Sequence, residues 1–108
     1  MSPTLFSYKG ISIRIYGLDH KPIHVHANVK GNYEMKVIFK MKSGKVLDVT
    51  YENVKARKPF TPAMMRDLKK LVNEFGQKMA DDFITVVEKN QEVHGQIVIH
   101  KIYDNKKG

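Results

Sequence analysis

Apolar and polar residues first alternate at Ile11-Ser12-Ile13-Arg14-Ile15-Tyr16. A two-residue period is that of a half-buried strand, with Ile11, Ile13 and Ile15 inward. Gly17-Leu18-Asp19 reads as a turn. Alternation resumes at His24-Val25-His26-Ala27-Asn28, where Ile23, Val25 and Ala27 share the inner face. Strand side chains repeat every two residues, so His24 and His26 point together to the opposite face. Lys30-Gly31-Asn32 is the next turn. Tyr33, Met35, Val37, Phe39 and Met41 then alternate with Glu34, Lys36, Ile38, Lys40 and Lys42, the clearest strand in the chain. Lys42-Ser43-Gly44-Lys45 predicts a hairpin turn into a strand over 46–51.

The period changes after Lys55-Ala56-Arg57-Lys58-Pro59. Thr61 before Pro62 is a helix start: the hydroxyl caps a backbone N–H, and proline loses nothing at the first helical position. Met64, Leu68, Leu71, Val72, Phe75 and Met79 follow at three- and four-residue spacing and make one apolar stripe. Gly76 is a point where this helix can kink or divide, and a second helical stretch is expected over 80–89, with Phe83, Ile84 and Val87 inward. Asn90-Gln91 and Gly95 read as breakers. Residues 96–102 predict a final strand, and 104–108 a loose tail. The chain therefore predicts one α+β domain over 1–108. Its mostly antiparallel sheet of about four or five strands is packed on one face by a C-terminal helical hairpin. There is no internal repeat, linker or low-complexity block.

Composition narrows the function classes. A chain of 108 residues, 42% hydrophobic, suits one modest core. No apolar run approaches the roughly 18 residues that span a bilayer, and the N-terminus lacks a secretory signal pattern. Cytoplasmic location and no membrane partner are the expectations. The absence of cysteine excludes disulfides, thiolate metal sites and cysteine nucleophiles. Nineteen Lys and Arg against eleven Asp and Glu give a net charge of +8, a field that attracts nucleic acid, an acidic protein or an anionic surface.

The pointed chemistry lies in His20-Lys21-Pro22-Ile23-His24-Val25-His26-Ala27, which holds three of the five histidines. Four readings compete. As metal ligands, His24 and His26 project to one side at i and i+2 and can share an ion such as zinc, with His20 joining if the chain bends at Pro22; Glu34 and His100 are distant candidates for further ligands. As metal-free acid and base, two histidines can work on RNA, whose 2′-hydroxyl is its own nucleophile. Arg14, Lys36 and the cations Lys55, Arg57 and Lys58 would then hold phosphate, and Tyr33 or Tyr16 could orient a base or a phosphate. As a His-hydrophobic-His element of rolling-circle endonucleases, the motif needs a helical tyrosine, and no tyrosine falls in the predicted helices. As structural residues, the rings bond to backbone or sit at an interface. Other features point to structure: the six methionines are core filler, Lys69-Lys70 a solvated face, and Asp81-Asp82 a helix-start pair. No Ser-His-Asp set, phosphate-cradling glycine loop or dinucleotide fingerprint is present.

The same segment resembles the His-x-Pro-Pro-His-x-His-Ala motif of a bacterial family known as domain of unknown function 4160. His20, Pro22, His24, His26 and Ala27 match, while Ile23 replaces the second proline and Val25 a common aromatic residue. Gly31, Tyr33, Glu34 and the Ser43-Gly44-Lys45-Val46 turn also suit the family. The resemblance covers residues 3 to 90 or so, and the strand at 96–102 lies beyond it. Members resemble components of toxin–antitoxin pairs, suspected to be the toxin. The resemblance implies an RNA-directed enzyme or a translation blocker, a cognate small antitoxin-like protein as partner, and His20, His24 and His26 as the working residues. The competing function is a non-catalytic protein- or metal-binding module that uses the same histidine face. A homo-oligomer also remains open.

Overall fold

A computed structural model describes residues 4–15, 22–88 and 97–98. Five antiparallel strands follow one another in chain order: β1 (Thr4–Tyr8), β2 (Ile11–Arg14), β3 (His24–Val29), β4 (Tyr33–Lys42) and β5 (Lys45–Asn53). A two-residue strand, β6 (Ile97–Val98), pairs parallel with β1 at Phe6 and Ser7. The remainder of the strand expected at 96–102, and the tail, lie outside the described residues. The hairpin turns share one device. Lys9-Gly10, Lys30-Gly31 and Ser43-Gly44 each place two successive residues at positive φ. That conformation matches the right-handed twist of the flanking strands, and glycine adopts it without a Cβ clash.

The strand parities are as the alternation requires. Ile11, Ile13, Val25, Ala27, Val37 and Phe39 are buried on the inner face. Arg14, His26, Lys36 and Glu52 fall in one cross-strand row on the outer face. The β4–β5 ladder breaks once. Lys40 pairs with Asp48 but Met41 with Val46, so Leu47 is an extra residue, and it is 58% exposed.

One helix, α1 (Pro62–Phe83), covers the inner face. Thr61 caps it as expected, its Oγ1 accepting from Met64 N–H at 3.2 Å. Leu68, Leu71, Val72, Met79 and Phe83 are buried, and Phe75 meets Phe6 with ring centroids 5.5 Å apart. The expected helical hairpin is a correction: α1 runs without interruption through Gly76 and ends in a single π-helical turn, Ile84–Glu88. Gly76 does not divide the helix. It lies against the sheet, where an added Cβ would sit 3.4 Å from both Phe39 Cε1 and Val72 Cγ1.

That spacing sets a test. Alanine is worth about 1 kcal/mol more than glycine inside a helix, and 3.4 Å is the near limit of ordinary contact. Gly76→Ala is expected to raise the urea midpoint, by up to about 1 kcal/mol. Gly76→Val should lower it, because a branched side chain must displace Phe39. A lower midpoint with alanine would mean that the Phe39 ring cannot yield.

Candidate functional site

Both described histidines of the motif begin β3, and both rings are held at Nδ1. His24 Nδ1 lies 2.6 Å from the Pro22 carbonyl oxygen. A carbonyl can only accept, so Nδ1 carries a proton and Nε2 is the ring atom left to exchange one. His26 Nδ1 lies 3.0 Å from Glu34 Oε2, which holds a proton on the same atom against a carboxylate. The two rings stand edge to face, with centroids 5.0 Å apart. His24 is buried at 6% exposure, and its ring is 5.3 Å from that of Phe83 at the end of α1. The His26 side chain keeps 12% of its surface, so it is the more open of the pair.

Glu34 reaches His26 by register. His26 faces Lys36, so Glu34 is its diagonal neighbour, a distance side chains span readily. The second carboxylate oxygen, Oε1, lies 3.1 Å from Arg57 Nε. This is a close ion pair, although the N–H is not aligned for a hydrogen bond. Arg57 Nη2 also donates to the Gly31 carbonyl. The backbone brings Arg57 there. A turn closes with Arg57 N–H donating to Val54 O at 3.0 Å, and Ala56 adopts a left-handed φ of 67°. Lys58 is then stitched beside β4: Glu34 N–H donates to its carbonyl at 3.1 Å, and its own N–H donates to Asn32 O at 3.0 Å.

Of the residues singled out from sequence, the structure brings together His24, His26, Arg14 and Lys36. Arg14 and Lys36 flank His26 on its two neighbouring strands. Arg57 joins through Glu34 instead of standing alone as a cation. Lys55 and Lys58 remain exposed on the loop, the latter with Nζ 5.5 Å from the Tyr33 ring centroid. His20, Tyr16 and His100 lie outside the described residues. Glu34 stands out in sequence as a distant metal ligand and as a match to the family pattern, not as a partner of His26. Its part in orienting His26 follows from counting register outward from the Lys30-Gly31-Asn32 turn. Among the described residues no three His, Cys, Asp or Glu side chains converge to hold a metal, and no helix is long and apolar enough to cross a membrane.

The His26–Glu34–Arg57 chain makes a stability prediction. Glu34→Ala removes the acceptor from two groups in a mostly buried place. The expected cost is about 1–3 kcal/mol, at the lower end of buried-pair values because Arg57 is partly exposed. In a double-mutant cycle with Arg57→Ala, the second change should cost much less than it does alone. Strict additivity in urea unfolding would show that the two side chains do not act as a pair.

The fold and site define an α+β module: a meander sheet under one long helix, with a histidine pair at the start of the third strand, one ring held by a backbone carbonyl and the other by a carboxylate. The profile of the family described as Domain of unknown function (DUF4160) matches residues 10–83, and the chain belongs to that family. The matched region ends at the last residue of α1. No curated protein matches the chain, and no solved structure does.

Proposed function

We propose that this chain is a cytoplasmic, toxin-like member of a bacterial toxin–antitoxin pair that acts on RNA, with His24 and His26 as its acid–base pair. The observation that carries the reading is the row on the outer face. His26 is oriented by Glu34 and stands between two cations, Arg14 and Lys36. Cations around the histidines suit a phosphodiester; a basic face elsewhere would suit an acidic protein. Glu52 ends the row beside Lys36 and limits its net charge.

With Nδ1 held on both rings, Nε2 is the working atom of each. His26 takes the 2′-hydroxyl proton at Nε2, an atom its neighbours cover until substrate displaces them, and Glu34 stabilises the imidazolium that forms. The 2′-oxygen attacks phosphorus, and the bond to the 5′-oxygen breaks. Protonated His24 gives its Nε2 proton to that leaving oxygen. The products are a 2′,3′-cyclic phosphate and a 5′-hydroxyl end. Arg14 and Lys36 balance the phosphorane charge, and His20, two residues before Pro22, assists from the same motif.

The second reading, a protein- or metal-binding module, draws on the same anchoring. Metal-bound histidines commonly donate their other ring N–H to a carbonyl or carboxylate. One experiment separates the two. Labelled RNA is incubated with the purified protein, with and without chelator, beside His24→Ala and His26→Ala. Cleavage that survives chelator and is lost in both variants is the expected result. Loss with chelator would move the histidines to metal ligation. No cleavage under any condition would end the catalytic reading.

A further inference from the structure

A groove of about 490 Å³ opens between β5 and α1, away from the histidine row. Its cause is visible in the chain. β5 is the edge strand, so the inner-face residues Val46, Val49 and Tyr51 are only half covered. Across from them α1 presents Val72, Asn73 and the bare backbone of Gly76. Lys69 stands at the mouth, with Nζ 5.8 Å from the centroid of the Tyr51 ring. Burial raises the Tyr51 hydroxyl above its ordinary value of 10.0, so the phenol is held neutral. Among the described residues no carboxylate lines the groove, and Arg66 and Lys70 are exposed on the same helix as Lys69. Gln77 shuts one end. Its amide accepts from Val46 N–H at 2.9 Å and donates to Gly44 O at 2.9 Å and to Asp81 Oδ1 at 3.1 Å.

The groove thus offers apolar walls, one aromatic ring and a cationic lip, in a volume within the range of small-ligand sites. A ligand that matches all three has a flat body with apolar faces and an anionic linkage beside it. We propose that this groove receives one base of single-stranded RNA, with the adjoining phosphates on Lys69, Arg66 and Lys70. Aromatic residues interleaved with cations are how proteins hold single strands irrespective of sequence, because every base has a π face. A duplex keeps its bases stacked inside and cannot fill the groove. This inference takes its ligand class from the RNA reading above but does not depend on cleavage.

The test is fluorescence anisotropy with labelled octauridylate, set beside an RNA duplex of equal length and with poly-L-glutamate as competitor. Two substitutions at exposed helix positions are compared with the wild-type protein: Lys69→Gln removes the cation, and Asn73→Leu crowds the groove without adding a ring. Octauridylate should bind more tightly than the duplex. The groove-filling variant should weaken it about tenfold, the loss of one stacked base, and Lys69→Gln by less, the loss of one phosphate contact, both with unchanged melting temperature. Wild-type affinity in both variants, equal affinity for the duplex, or no binding by the wild-type protein would each overturn the proposal. Displacement by poly-L-glutamate at equal charge concentration would overturn it in favour of an acidic protein partner. Cleavage of the same octauridylate is assayed separately from binding. Binding through the groove without any cleavage would therefore sink the catalytic reading and leave this one standing.

Discussion

His26→Ala is expected to slow RNA cleavage about 10²- to 10⁴-fold, the range that one positioned acid or base contributes. The fold should survive. With the ring gone, Glu34 still pairs with Arg57 at 3.1 Å, so the stability loss should stay near about 1 kcal/mol. Glu34→Gln provides the internal comparison. Its amide oxygen can still accept from His26 Nδ1, so ring orientation persists while the charge that stabilises the imidazolium is lost. Its rate should fall between those of the wild-type protein and His26→Ala. Product analysis adds a second check, since the proposed mechanism leaves a 2′,3′-cyclic phosphate end. A His26→Ala protein that folds and still cleaves at half the wild-type rate or more would remove His26 from the chemistry.

The sheet was largely legible because each strand has one buried face. Ile11 and Ile13, Val25 and Ala27, and Val37 and Phe39 recur at two-residue spacing, with polar residues between them except at Ile38, and all are buried. A one-residue slip would turn every one of them outward. β1 was harder to see: Thr4–Tyr8 is bounded by its turn only through Lys9-Gly10, whose left-handed pair is a matter of backbone geometry. The helix start was written in Thr61 and Pro62. Its continuation was not, because glycine at 76 has two meanings: a weak point in an isolated helix, or a place where a helix lies close on a sheet. Phe39, 37 residues earlier, decides between them. The histidine pair was legible as a pair by strand parity. What anchors it was less so. The Pro22 carbonyl is a backbone group, and Arg57 reaches Glu34 only through a turn in which Ala56 takes a conformation unusual for alanine. The contact of His24 with Phe83 joins residues 59 apart and carries no local signal.

That last contact supports the largest stability prediction. Phe83 is fully buried, and it closes α1 where the helix meets the start of β3. Phe83→Ala should cost about 3–5 kcal/mol, because the ring loses its burial and the rigid strand end opposite cannot collapse into the space. A domain of this kind has about 5–15 kcal/mol in all, so the loss should be plain as a lower urea midpoint. Phe83→Leu, which refills most of the volume, should cost less than half as much. The same substitution reaches the histidines. The His24 ring lies 5.3 Å from Phe83 and 5.0 Å from His26, and Pro22 alone would not hold it at the edge of a new cavity. Phe83→Leu should therefore disturb the imidazole NMR signals of His24 more than those of His26, which Glu34 still orients. If the alanine variant loses less than about 1 kcal/mol, the end of α1 does not pack on β3, and His24 owes its position to the Pro22 carbonyl alone.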